Sequence, residues 1–154
     1  MRIVVLNGPN LSTLGTREPE TYGTATLADI EAAVRRRAGE LGVDIEWTQS
    51  NHEGVLVDLL ERERAGADGC IINPGGLSHT SVVLADAVRA FGKPVVEVHL
   101  SNIYAREPYR RVSLCAEAAA AVITGLGGNG YSLALEGLVT MIREPGMSSP
   151  EKSP

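Results

Sequence analysis

Apolar runs of strand length alternate along this chain with segments whose apolar residues recur every three to four positions. RIVVLN (residues 2–7), VDIEWTQ (43–49), CIIN (70–73), VVEVHL (95–100) and AVITGL (121–126) are rich in Val and Ile without strict alternation. Such runs fit strands covered on both faces, as in a parallel sheet. Between them the spacing predicts helices over about 26–41, 54–65, 80–91 and 131–143, with a further one inside 106–120. The first has Leu27, Ile30 and Val34 on one face, Thr26 placed to cap it and Gly42 to stop it. Five strands alternating with helices predict a doubly wound α/β domain with right-handed crossovers. Five strands favour a flavodoxin-like three-layer αβα sandwich over the six-stranded dinucleotide fold. One domain is expected over residues 1–144, followed by a disordered tail, PGMSSPEKSP (145–154), which has no apolar periodicity.

In an open parallel sheet, ligands bind outside the carboxyl ends of the strands, so the residues just after each run test for a site. NGPN (7–10) and a long connection, TLGTREPETYGTAT (13–26), come after the first run. QSNHEG (49–54), NPGGLSHTS (73–81) and HLSNIYAREPYRR (99–111) come after the next three. All three histidines fall at these ends, with Arg17, Arg106, Arg110 and Arg111, whereas the opposite ends carry turn residues such as LGVD, AGADG and FGKP. Singly, each residue has a bland reading. Asn7, Asn10 and Asn73 can close their own backbone turns, His52, His79 and His99 can be hydrogen-bonded structural histidines, and loop arginines are usually solvated. Their collection at one end of the sheet marks a candidate site.

Composition narrows the class. At 154 residues the chain is long enough to bury a core. A formal charge of −5 and a pI near 5.2 argue against nucleic-acid binding, which rests on neutralising phosphates. The chain runs straight from Met1 into a strand, with neither a secretory leader nor an apolar stretch that could span a bilayer, so a cytoplasmic protein without membrane partners is expected. Cys70 and Cys115 sit in apolar surroundings and read as buried reduced thiols.

Several familiar chemistries lack their motifs. GLGGNG (125–130) matches G-x-G-x-x-G, but it comes after the last strand, where the dinucleotide fingerprint belongs to the first βαβ unit. Tight packing of the last helix on the sheet is the better reading. No phosphate loop or serine-hydrolase elbow occurs, and the histidines and cysteines lack metal-ligand spacing.

LNGPNL, LGTREPETYG, QSNHEG and NPGGLSHTS, succeeded in order by EVHLSNIYARE and GLGGNGYSLAL, closely resemble the type II 3-dehydroquinate dehydratases, from about residue 3 to about residue 138. The resemblance implies dehydration of 3-dehydroquinate to 3-dehydroshikimate in the shikimate route, no cofactor, and homo-oligomers of trimers assembled into a dodecamer. By motif, Tyr22 resembles the general base, His99 the general acid, and Arg17 the group that stabilises the transition state. Asn10 resembles the residue that holds a water at the substrate ketone. Asn73, His79, Leu100, Ser101 and Arg110 resemble the substrate-binding set, and Asp86 the residue that reaches a neighbouring subunit's site. The chain departs from the family's usual pattern at Ser12, Thr13, Pro108, Tyr109 and Val112.

The chemistry of the implied reaction suits these residue types. A phenol with an ordinary pKa of about 10 is a poor base at neutral pH. Guanidinium groups from Arg17 and Arg106 would favour its phenolate and stabilise a developing enolate, without surrendering a proton as lysine can. Imidazole can donate to a departing hydroxyl. Glu97, two residues before His99 on the same strand, projects to the same face and can orient it. Arg110 can grip a carboxylate bidentately. The alternative chemistry for this reaction uses a lysine imine, but Lys93 precedes the fourth strand and Lys152 lies in the tail. A non-catalytic flavodoxin-like module is the competing reading. A receiver domain would carry clustered acids after the first strand, and a flavin carrier a hydroxyl-rich loop, where this chain has NGPN.

Overall fold

Successive side chains on a strand point to opposite faces, and here both sets are apolar. Ile3 and Val5 of β1 (Arg2–Asn7), Ile71 of β3 (Gly69–Asn73) and Val96 and Val98 of β4 (Val95–His99) share one core. Val4, Leu6, Cys70, Ile72 and Val95 belong to a second core on the other face. Two outer strands, β2 (Asp44–Gln49) and β5 (Ala121–Thr124), complete a parallel sheet in the order β2-β1-β3-β4-β5. This is the flavodoxin-like order expected from the strand count. The computed structural model describes residues 1–16 and 18–147.

One helical layer is formed by α2 (Leu27–Leu41) and α6 (Asn129–Arg143), which bring Ile30, Val34, Leu135 and Leu138 to the first core. The other is formed by α3 (Glu53–Glu63), α4 (Val82–Phe91) and α5 (Leu114–Ala118), which bring Leu56, Leu60, Leu84, Phe91 and Cys115 to the second. Each such aliphatic or aromatic side chain stabilises by roughly 1.5–3 kcal/mol on burial. A single helical turn, α1 (Pro19–Tyr22), interrupts the long connection after β1. Among the described residues no helix is long and apolar enough to cross a membrane.

The helix ends obey local chemistry. Thr26 Oγ1 accepts from the Asp29 amide at 3.1 Å while Asp29 Oδ2 accepts from the Thr26 amide at 2.9 Å, a reciprocal capping box. Gly42, at φ 67°, closes α2 in the left-handed conformation that a Cβ disfavours. The region 106–120 holds less helix than its length allows. A 3-10 turn at Pro108–Arg110 precedes α5, because Pro108 opens a turn well and keeps Glu107 out of helical geometry. Of the expected tail, Pro145–Met147 forms a 3-10 turn, and 148–154 lie outside the described residues.

Both cysteines are buried and unbridged. Burial raises the Cys70 thiol's pKa and pushes that of Cys115 up to about 12, so neither is a candidate thiolate nucleophile. Lys93 donates to the Ala67 carbonyl, at the amino ends of the strands.

The connections after β1 and β3 meet at Gly8, whose amide donates to the Asn73 carbonyl at 2.8 Å. A Cβ on Gly8 would lie 2.5 Å from the Pro74 carbonyl oxygen. Gly8→Ala is therefore expected to destabilise by about 1–3 kcal/mol through forced separation of the two loops. Gly39→Ala, in the interior of α2 with nothing within 4 Å of the new methyl, should stabilise by about 0.5–1 kcal/mol. Urea unfolding midpoints of the two variants check both signs.

Candidate active site

The carboxyl ends of β1, β3 and β4 open into a cleft of about 680 Å³, counting the space at its mouth. Strand parity decides which layer supports each residue at its floor. Asn7 and Asn73, the last residues of β1 and β3, sit in register and share parity with the residues that face α6. Both are buried and meet Tyr131 of α6. The Tyr131 hydroxyl donates to Asn7 Oδ1 at 2.7 Å and accepts from Asn73 Nδ2 at 2.9 Å. Asn7 Nδ2 donates to the Thr48 carbonyl at 3.2 Å, and Asn73 Oδ1 accepts from the Gly75 amide at 3.1 Å. The chain of donors runs one way, so the orientation of the Asn73 amide is fixed. Burial raises the pKa of the Tyr131 phenol, consistent with a permanently protonated donor.

Glu97 and His99 of β4 have the parity of Val95 and face the α4–α5 layer. His99 Nε2 lies 2.5 Å from Glu97 Oε1. A carboxylate oxygen accepts, so Nε2 carries a proton and Nδ1 is the nitrogen available to a bound molecule. His79 closes the 3-10 turn Gly75–His79, and its Nδ1 lies 2.7 Å from the Val112 carbonyl. A carbonyl only accepts, so His79 Nδ1 is protonated. The two imidazoles stack, with centroids 6.3 Å apart and planes inclined by 18°.

The cations come from the loop after β4. Arg106 Nη1 donates to Tyr22 Oη at 2.8 Å and to Ser101 Oγ at 3.3 Å, and its guanidinium carbon lies 5.3 Å from the Tyr22 ring centroid. Glu107 Oε2 lies 3.5 Å from Arg106 Nε and accepts from Arg110 Nε at 3.0 Å. Its carboxyl is held below the ordinary carboxylate range, first by a hydrogen bond to its own backbone and then by the two arginine charges. Thr124 Oγ1 of β5 pins this loop by donating to the Ser101 carbonyl at 2.8 Å.

Of the residues singled out in the sequence, Asn10, Tyr22, Asn73 and His79 line the cleft, as do His99, Leu100, Ser101, Arg106 and Arg110. Asp86 does not. It is exposed on α4 and pairs with Arg89 at 3.0 Å. Arg17 lies outside the described residues. His52 is exposed at the start of α3. Sequence reasoning missed Tyr131, although a tyrosine in a chain with so few aromatics, opening a helix that must lie on the sheet, needs a partner for its hydroxyl. It also missed Ser113, whose hydroxyl donates to Glu97 Oε1 at 2.7 Å.

GLGGNG has a structural use. The Gly125 and Gly127 amides donate to the carbonyls of His99 and Leu100 at 3.2 and 2.9 Å. A Cβ on Gly128 would lie 2.9 Å from Ile30. The departures are also accommodated: the exposed Tyr109 ring lies under Arg110 at 5.2 Å, and Thr13 Oγ1 donates to the Asn10 carbonyl at 2.7 Å. Among the described residues, no group of three or more His, Cys, Asp or Glu could hold a metal ion.

Sheet order and acid–base side chains at the strand ends together define a flavodoxin-like α/β enzyme. The family model described as Dehydroquinase class II matches residues 1–139. Over 138 residues the chain is 54% identical to a protein named 3-dehydroquinate dehydratase from Dinoroseobacter shibae, covering 90% of this chain and 92% of that one. It is 49% identical over 142 residues to Catabolic 3-dehydroquinase 1 from Aspergillus terreus, covering 92% and 93%. The crystal structure of a type II dehydroquinase from Butyrivibrio crossotus superposes with a TM-score of 0.89 at 35% identity, covering 90% of this chain and 97% of that one. The chain belongs to the class II dehydroquinase family.

Removing the Tyr131 hydroxyl leaves Asn7 Oδ1 and Asn73 Nδ2 buried without that partner. Tyr131→Phe is expected to destabilise by about 1–3 kcal/mol despite its near-identical shape. The measurement is the change in unfolding free energy by urea titration.

Proposed function

We propose that the cleft binds 3-dehydroquinate and eliminates water from it to give 3-dehydroshikimate, in the shikimate route to aromatic compounds. The substrate is a β-hydroxy ketone with a carboxylate on the carbon that loses its hydroxyl. Tyr22 takes the proton beside the ketone, leaving an enolate. Collapse of the enolate expels the hydroxyl, which takes a proton from His99 and departs as water. The elimination is redox-neutral, and every proton it moves has a side chain to carry it.

The observation that carries this reading is the 2.8 Å hydrogen bond from Arg106 Nη1 to Tyr22 Oη, in a cleft that His99 also lines. A phenol becomes a competent base when a fixed positive charge favours its phenolate, and the same charge favours the enolate. Arg17, on the same connection as Tyr22, supplies a second guanidinium, and that connection acts as a lid that excludes water on closing. Asn10 holds a water at the ketone. Arg110 grips the carboxylate, with its guanidinium already aligned by Glu107 at 3.0 Å. Asn73, His79, Leu100 and Ser101 make the remaining substrate contacts. Lysine imine chemistry has no support among the described residues, since Lys93 is at the far end of the sheet.

The same reading assigns Asp86 to a neighbouring subunit's cleft, in trimers assembled into a dodecamer. Its exposed position on α4, outside its own cleft, supports that assignment.

Tyr22→Phe and His99→Ala are each expected to slow formation of the conjugated enone, monitored by its ultraviolet absorbance, by about 10²–10⁴-fold with circular dichroism unchanged. Undiminished turnover by Tyr22→Phe would refute the base assignment. Native mass spectrometry should give a particle of twelve times the 16.3 kDa chain mass, and a monomer would overturn the assembly.

A further inference from the structure

Glu97 is a carboxylate with no exposure, set in the last fully buried strand of the sheet. Both of its hydrogen bonds fall on one oxygen. Oε1 receives His99 Nε2 at 2.5 Å and the Ser113 hydroxyl at 2.7 Å, while Oε2 is buried and has no hydrogen-bond partner among the described residues. Ser113 is buried too, and it caps α5 by accepting from the Ala116 amide at 3.1 Å. With its oxygen accepting from that amide, its hydrogen is directed to Glu97. A serine that merely capped the helix would need only its oxygen. This one uses both ends of the hydroxyl.

We propose that Ser113 is a positioning residue for the reaction, holding Glu97 fixed and ionised so that His99 keeps its Nε2 proton inward and offers Nδ1 to the departing hydroxyl. The inference rests on the reading of His99 as the general acid. A buried carboxylate is costly unless it is paired and hydrogen-bonded, and donors to its ionised form favour that form. With Oε2 unpartnered, two donors on Oε1 hold the charge among the described residues. When Ser113 no longer donates, Oε1 keeps only the His99 Nε2–H donor, and the carboxylate draws that proton more strongly. The imidazolium that must donate is then less available.

The neighbouring residue strengthens the case. The Val112 carbonyl accepts from His79 Nδ1 at 2.7 Å, and the His79 ring stacks on that of His99. Residue 112 thus holds His79 directly through its backbone carbonyl, and residue 113 holds His99 indirectly, through its hydroxyl on Glu97. The Val112 side chain is exposed and takes no part, so the departure from the family pattern at this position leaves the tether intact. The other titratable groups around the pair are His79, Cys115 of α5, whose thiol feels the charges of Glu97, Arg89 and Glu53, and Tyr22, Arg106 and Arg110 lining the cleft. The sheet neighbours of Glu97, Ile72 and Val122, carry no charge.

The test compares Ser113→Gly, Ser113→Ala, Ser113→Thr and His99→Ala in the full chain. Glycine is a nearly neutral N-cap replacement, so Ser113→Gly removes the donor with little loss of the cap, and Ser113→Ala guards against a glycine-specific folding defect. Removing one hydrogen bond to a charged group should lower kcat by about tenfold, with KM within about twofold. The alkaline limb of kcat against pH should move to lower pH, because a general acid held less firmly protonated is lost sooner as pH rises. The Nε2 proton signal of His99 in nitrogen-15 histidine spectra should shift, and Ser113→Thr should restore all three readouts. Unchanged kcat, pH limb and imidazole signal in Ser113→Gly or Ser113→Ala, with His99→Ala inactive, would overturn the inference alone. An active His99→Ala would instead overturn the acid assignment, and the proposed role of Ser113 with it.

Discussion

Asn7, Asn73 and His99 end their strands inside the protein rather than in water, Glu97 lies buried two residues before the end of β4, and the need to pair each of them shapes what surrounds the cleft. A buried polar group left unpaired costs about 1–3 kcal/mol, against a total stability of about 5–15 kcal/mol for a domain of this kind. Four such residues without partners would consume much of that margin. Strand parity then dictates where the partners must come from. Asn7 and Asn73 share a face with α6, so Tyr131 meets both, while Glu97 and His99 point the other way, so Ser113 at the head of α5 meets Glu97. The last two helices of the chain therefore fix the floor of the cleft as well as covering the sheet.

The cations above that floor are held differently. Arg106 and Arg110 share Glu107, which is exposed, and solvent-exposed ion pairs contribute little net stability. What they supply is orientation of two positive charges toward one opening. Tyr22 sits half-buried on a single helical turn, between a 3-10 turn and α2, with far less support than His99 on its strand. In the proposed reaction the base thus stands on a single turn within a long connection and the acid on a buried strand. That division makes chemical sense. An acid that must present one ring nitrogen needs its other nitrogen locked, whereas a base carried on a lid, already paired with Arg106, can move with the lid as the cleft closes over substrate.

Much of this was readable in advance because it depends on local chemistry. The five strands lie within two residues of the apolar runs, and Thr26 and Gly42 bound their helix as capping preferences require. His79, His99, Arg106 and Arg110 pointed to the cleft because strand ends of one polarity must converge in a parallel sheet, whereas His52 follows an outer strand and stays exposed beside α3. Tyr131 was not readable in the same way: its partners lie 58 and 124 residues away, and only the crossover of α6 onto the sheet brings them together. Ser113 was hidden by the break at Pro108, which shortens the helix expected in that region to α5 and so moves a cap to where Glu97 can use it. The position of Asp86 outside the cleft is set by α4, and only its proposed use involves a second subunit.

The glycine motif after β5 makes the same distinction between a pattern and the physics behind it. G-x-G-x-x-G is selected wherever backbone must approach something closely, and in dinucleotide proteins that something is a pyrophosphate. Here two of its amides are already committed to the His99 and Leu100 carbonyls, and Gly128 lies where a Cβ would press on Ile30. The close approach is to the protein's own backbone and core. It fastens the carbonyl of His99 from the β5 side while Glu97 fastens its ring from the α5 side. A histidine held at both its backbone and its imidazole has one remaining polar atom, Nδ1, to offer a bound molecule, which is the condition a general acid at a strand end must meet.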